Sequence, residues 1–141
     1  MLSNILNANE LKKKIILNKK KKKKIVLCHG VFDLIHIGHL KHFEKAKELG
    51  DILVVSITSD ENVKKGPGKP IFNHKLRAEY LSSFKLIDYI YINYEETSIN
   101  VINLIKPNFY LKGQDYKLKK NDVTKNIYLE ENAVKKHKGK I

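Results

Sequence analysis

The stretch that most restricts the fold is residues 51–58, DILVVSIT, which is nearly continuous in apolar and β-branched residues. A run of this kind is typical of a strand that is buried on both faces, and such strands occur mainly in parallel sheets covered by helices. Residues 25–28, IVLC, form a shorter run of the same character. The chain is therefore expected to fold as an α/β protein with a parallel sheet.

Helical and strand patterns alternate along the rest of the chain, which predicts a Rossmann-like, doubly wound sheet with right-handed crossovers. Ligands in such folds bind beyond the carboxyl ends of the strands, near the point where the strand order reverses. Helices are predicted over residues 9–17, 38–49, 74–83 and 126–136, with a further helix that ends before Pro107. Gly50 is the expected end of the second helix, Asn73 is the expected N-cap of the third, and Thr97 or Ser98 is the expected cap of the helix before Pro107. Further strands are predicted over residues 88–93 and 108–112.

Length and composition suit a single soluble domain of 141 residues and 16.4 kDa. No apolar run approaches the roughly 20 residues of a membrane span, and the N-terminus does not resemble a secretory signal. With one cysteine, Cys28, no internal disulfide can form, so a cytoplasmic location is expected. We divide the chain into a basic N-terminal helix with a Lys-rich lead-in at residues 1–23 and a main domain at residues 24–141.

The formal net charge of +13 raises the question of a nucleic-acid partner. Arg77 is the only arginine among the 28 basic residues, and the excess of Lys, Asn and Ile is typical of an AT-rich genome. A block of like charges such as residues 19–24 usually remains solvated. Nucleic acid is therefore not expected to be the partner.

Residues 30–39, GVFDLIHIGH, follow the first predicted strand and lead into a helix. His36 and His39 are three residues apart and can face one ligand. Gly38 leaves room for a phosphate, and the helix N-terminus offers backbone N–H groups and a positive dipole end. The pattern indicates a site for an anion with several oxygens. Ordinary surface or capping histidines are the alternative, whereas a zinc site lacks further ligands at suitable spacing.

This segment resembles the GxFDxxHxGH signature of the cytidylyltransferase-like nucleotidyltransferases. The similarity extends over residues 59–66, 70–81 and 110–117, and it is strongest to the adenylyltransferase domain of bacterial ADP-heptose synthase and weaker to glycerol-3-phosphate cytidylyltransferase. The resemblance implies that the phosphate of a sugar or alcohol phosphate attacks the α-phosphorus of a nucleoside triphosphate, ATP or CTP, and that pyrophosphate leaves, with Mg²⁺ bound to the nucleotide.

The resemblance also implies roles for individual residues. His36 and His39 would contact the triphosphate and stabilise the transition state, and Lys65 would bridge the phosphates of both substrates. Arg77 would bind phosphate, because a site that retains the only Arg in a Lys-rich chain calls for a rigid two-pronged donor. A salt bridge to a carboxylate is the alternative for Arg77.

Further residues are expected to line the nucleotide pocket, while Asp33 is expected to hold the loop through hydrogen bonds to backbone N–H groups. Gln114 replaces the second Gly of a GGDY-like turn. The expected nucleotide-binding residues, besides Arg77, are Gly30, Val31, Phe32, Gly38, Lys112, Gly113 and Asp115.

Members of this family continue with a final strand and helix, so the sheet is expected to lack its last strand and helix. The resemblance allows a homodimer. It leaves open whether the nucleotide is ATP or CTP, which phosphate compound is the acceptor, and whether the chain is active. The alternative function is a non-catalytic fragment that binds nucleotides or RNA.

Overall fold

A computed structural model describes residues 4–64, 66–112, 126–136 and 139. Within these residues, four strands form one parallel sheet in the order β3-β2-β1-β4. The predicted α/β class and parallel sheet are confirmed. The strands are β1 (Ile25–Gly30), β2 (Ile52–Thr58), β3 (Tyr89–Asn93) and β4 (Phe109–Lys112), and the helices are α1 (Ala8–Lys20), α2 (Ile37–Leu49), α3 (His74–Ser82), α4 (Ile99–Ile105) and α5 (Asn126–Lys136).

The strand order places a switch point between β1 and β4. From β1 the chain moves outward through β2 to β3, and it then returns to the other side of β1 to form β4. In the register, Ile25 lies beside Ile52 on β2, and Val26 lies beside Phe109 on β4. Ligands of doubly wound folds bind at the carboxyl ends of the strands at such a point.

Two apolar clusters cover the two faces of the sheet. Because strand side chains alternate, Ile25 and Leu27 face one cluster, which α1, α4 and α5 complete, and Val26 and Cys28 face the other, which α2 and α3 complete. Burial on both faces explains why β1 and β2 are apolar throughout rather than alternating.

The start of α3 and the end of α2 agree with the sequence signals, although the cause at the end of α2 differs. Asn73 caps α3, since its Oδ1 accepts a hydrogen bond from Leu76 N at 2.9 Å. Gly50 ends α2 with an extended backbone, φ −156°. A Cβ at Gly50 would lie 2.8 Å from Val26 Cγ2 and 3.0 Å from the Lys24 carbonyl oxygen. Close approach of strand β1, rather than a left-handed conformation, therefore requires glycine there.

Helix α1 packs on the same core as the sheet. Leu11 and Ile15 are buried in the cluster that contains β1 and α4. The side-chain amide of Asn18 donates to Tyr89 Oη at 3.1 Å, and Leu6 N donates to Ile90 O at 2.9 Å. The N-terminal helix is thus attached to β3, and the division of the chain at residue 23 stays a prediction.

Candidate functional site

The first turn of α2 is built by the two histidines of the motif. His36 is the N-cap, and its Nδ1 accepts a hydrogen bond from Gly38 N at 3.0 Å. In return, Nδ1 of His39 accepts from His36 N at 3.2 Å. The ring centroids lie 4.1 Å apart. This reciprocal pattern is a capping box in which imidazoles replace the usual hydroxyl and carboxylate.

The cap determines which ring nitrogen carries the proton. A neutral imidazole has one N–H, and an Nδ1 that accepts a backbone N–H leaves the proton on Nε2. His36 and His39 therefore each carry an Nε2–H donor, and His36 is exposed while His39 is half-buried. Since the N–H groups of His36 and Gly38 are already bound within the turn, the imidazoles rather than these amides are suited to meet an anion.

The turn between β1 and α2 is supported by Phe32. This residue is buried, and its backbone is left-handed with φ +50°. Its ring lies edge-on to His39, with centroids 5.7 Å apart, and a Cβ at Gly30 would lie 3.0 Å from the ring. Gly30 thus provides the space that Phe32 needs in order to support His39. Contact of Gly30, Val31 or Phe32 with a nucleotide stays a prediction.

Asp33 has the structural role that the sequence predicts. Its carboxylate accepts hydrogen bonds from Ile71 N at 2.6 Å and from Phe72 N at 2.8 Å. The partners lie in the segment before α3 rather than in the turn that contains Asp33. The carboxylate thereby joins the histidine turn to the segment that leads into α3.

Arg77 is buried at the centre of a set of polar contacts. Its side chain is 0% exposed. The guanidinium donates to three carbonyl oxygens and to Asp60 Oδ1, at distances of 2.7–2.9 Å. The ion pair with Asp60 is the one that the salt-bridge alternative describes, and a contact of Arg77 with phosphate stays a prediction. The three carbonyls belong to Val31, Thr58 and Phe72.

Lys112, the last residue of β4, is also paired. Its Nζ lies 2.7 Å from Glu130 Oε2 on α5, and Glu130 accepts a further hydrogen bond from Tyr110 Oη at 3.2 Å. A nucleotide contact from Lys112 stays a prediction. Lys65, Gly113, Gln114, Asp115 and Tyr116 lie outside the described residues.

Sequence reasoning missed one residue near the site, His29. Its Nδ1 lies 2.6 Å from Ser56 Oγ. Burial and the positive charge of Lys112 lower the pKa of His29 to about 3. The available signal was its position: His29 is the last side chain of β1, directly before Gly30.

Among the described residues, no three His, Cys, Asp or Glu side chains converge in a way that could hold a metal ion. Within the same part of the chain, every helix is too short or too polar to cross a membrane.

A family model described as cytidylyltransferase-like matches residues 27–138. The chain belongs to the cytidylyltransferase-like family. Curated relatives of this member include the bifunctional protein HldE of a Nitratiruptor species, 43% identical over 111 residues, and that of Campylobacter concisus, 44% identical over 119 residues. These alignments cover 75% and 81% of this chain but 24% and 25% of the relatives. The chain thus spans about a quarter of the length of the curated relatives it matches.

Solved structures share the fold of this cytidylyltransferase-like chain. A lipopolysaccharide core biosynthesis protein from Thermoplasma volcanium superimposes with a TM-score of 0.63 at 23% identity, covering 84% of this chain and 92% of that one. Pantoate-beta-alanine ligase from Francisella tularensis gives a TM-score of 0.61 at 16% identity, covering 97% of this chain and 65% of that one. At these identities the similarity supports the fold.

Proposed function

We propose that this chain is a nucleotidyltransferase domain that transfers AMP or CMP from a nucleoside triphosphate to a sugar phosphate or alcohol phosphate and releases pyrophosphate. The observation that carries the proposal is the pair of Nε2–H donors that the capping box fixes at the start of α2. Family membership supports the reaction class. The resemblance to ADP-heptose synthase and the HldE relatives support a place in nucleotide-activated sugar biosynthesis for surface glycans.

In the proposed reaction an oxygen of the acceptor phosphate forms a bond to the α-phosphorus of the nucleotide. The bond between the α-phosphorus and the bridging oxygen breaks, and its electron pair leaves with pyrophosphate. Nε2–H of His36 and of His39 would donate to phosphate oxygens whose charge increases in the transition state. A fixed donor of this kind is worth on the order of 3 kcal/mol, or about 100-fold in rate.

Magnesium would enter the site as part of the nucleotide substrate. Among the described residues near the turn, the carboxylates of Asp33 and Asp60 are already engaged: Asp33 accepts two backbone N–H groups, and Asp60 accepts from Arg77. Within the described residues, the protein offers no ligand cluster of its own. The bound ion would neutralise phosphate charge, while the two imidazoles hold the phosphate oxygens.

The test measures pyrophosphate release by the chain with ATP or CTP and a panel of sugar phosphates and glycerol 3-phosphate. The informative variants are His36→Asn and His39→Asn. The Asn side-chain oxygen can accept the backbone hydrogen bond that Nδ1 accepts, and Asn is a good N-cap, but it lacks a donor at the Nε2 position. We expect kcat/KM to fall about 100-fold in each variant while urea unfolding changes little.

His42→Asn is the matched control, because His42 lies one turn further along α2 and outside the motif. It should retain wild-type turnover. Unchanged turnover in His39→Asn would refute the proposed role of the imidazoles. Salt-sensitive RNA binding without pyrophosphate release from any substrate pair would favour the non-catalytic alternative.

A further inference from the structure

A row of polar side chains crosses the sheet at its carboxyl edge, on the face opposite α2. In the strand register His29 of β1 lies beside Ser56 of β2 and beside Lys112 of β4. By alternation His29 shares its face with Ile25 and Leu27, which belong to the apolar cluster. The apolar core therefore gives way to polar groups at the end of the sheet where a ligand is expected.

The position of the row coincides with the switch point. The strand order reverses between the neighbouring strands β1 and β4. His29 and Lys112 are the last side chains of these two strands on this face. The histidine turn of α2 begins only a few residues after His29. A nucleotide whose phosphates lie at His36 and His39 could extend its nucleoside part across Gly30 toward His29.

The imidazole of His29 is fixed in place and neutral. Ser56 is fully buried, and its Oγ holds Nδ1 at 2.6 Å. Lys112 pairs with Glu130, which is 3% exposed, so the positive charge beside His29 is itself held in position. Burial and that charge lower the pKa of His29, so its ring is uncharged near neutral pH. A neutral ring suits a hydroxyl or a base edge better than a phosphate.

We propose that His29, oriented by Ser56, contacts the nucleoside part of the bound nucleotide through Nε2 and helps to select it. This inference rests on the proposed nucleotidyltransferase function. Ser56 is a positioning residue, and His29 is the residue that would touch the ligand.

The test compares two ligands of the same chain by calorimetry: the nucleoside triphosphate that the wild-type protein binds best, and inorganic tripolyphosphate. His29→Asn preserves a polar atom for Ser56 but lacks Nε2, and it should weaken nucleotide binding about 3- to 10-fold. Tripolyphosphate binding should be unchanged. His29→Gln, whose amide reaches the Nε2 position, should restore part of the affinity. Ser56→Ala should weaken nucleotide binding less than His29→Asn.

Ser83→Ala, at an exposed site at the end of α3, serves as the control for Ser56→Ala. Unchanged nucleotide affinity in His29→Asn would overturn the inference, and so would an equal loss of affinity for both ligands, which indicates general damage to the site. If the wild-type protein binds no nucleoside triphosphate, the proposed function fails instead. Reduced tripolyphosphate binding in His36→Asn would verify that this ligand reports the phosphate end.

Discussion

Substitution of Arg77 tests the hypothesis that this residue organises the candidate site and does not bind substrate. Its buried guanidinium joins the carbonyls of Val31, Thr58 and Phe72 to the carboxylate of Asp60. The three carbonyls belong to the turn after β1, the end of β2 and the segment before α3, and Asp60 lies two residues beyond β2. Replacing Arg77 by Met keeps most of the aliphatic volume and removes all four hydrogen bonds.

The expected loss follows from the partners. A hydrogen bond from a charged donor contributes about 1.5–3 kcal/mol, and three carbonyls lose such a donor. The pair with Asp60 adds at most about 1 kcal/mol, because that carboxylate is 35% exposed and water can replace the cation. Because the contributions of neighbouring hydrogen bonds are not additive, we expect Arg77→Met to lower the free energy of unfolding by about 3–5 kcal/mol. Arg77→Lys keeps the charge but not the fork and should lose about 2–3 kcal/mol.

Urea unfolding followed by circular dichroism measures these losses as shifts in the midpoint at constant slope. Lys41→Met is the control, because Lys41 is 69% exposed and its contact with Glu44, at 3.6 Å, should be nearly neutral. If Arg77→Met were as stable as this control and only its nucleotide affinity were reduced, the structural role would be refuted and the phosphate-binding role supported.

Three further outcomes are expected. Cys28 is buried and burial raises the pKa of its thiol to about 12, so a thiol reagent should label the native chain only at the rate of unfolding; rapid labelling would contradict this burial. The pKa of His29 is about 3 in the folded chain against an ordinary value of 6.5. The stability associated with its neutral ring is therefore fully present above pH 6.5 and is lost as the pH falls toward 3. The free energy of unfolding should decrease by up to about 1.4 kcal/mol per pH unit below about pH 6.5 relative to His29→Gln, and parallel pH profiles of the two proteins would disprove this shift in the pKa of His29. Gly50→Ala should cost about 1–3 kcal/mol in urea unfolding, because the added Cβ would lie 2.8 Å from Val26 Cγ2; a neutral effect would show that α2 can shift away from β1.

The fold was predictable because local signals and burial agree. Apolar runs mark β1 and β2, which are buried on both faces, and Asn73 marks the start of α3 with a side chain that does cap it. The sequence could not indicate why Gly50 ends α2. That cause is a contact with Val26 and Lys24, residues more than 20 positions earlier, and only the packed structure brings them together.

The positions of the motif residues in the candidate site were predictable, whereas the partners of its charged and buried polar residues were less so. His36 and His39 lie together as expected, and Asp33 binds backbone N–H groups. The observed partners of Arg77 were not predictable, because the rarity of arginine in this chain indicates a demanding site but not whether the partner is a phosphate or a set of backbone carbonyls. His29 was overlooked because its pairing with Ser56 depends on the register of two strands, which sequence spacing does not specify.

The interval between His36 and His39 is that between an N-cap and the third helical residue, whose side chain accepts the backbone N–H of the N-cap. α-Helical geometry therefore sets the spacing of the motif independently of any ligand. One residue inserted between them would separate the rings and also remove the start signal of α2. A chain that keeps a well-formed first turn here thus keeps the two imidazoles aligned, and folding itself maintains their arrangement.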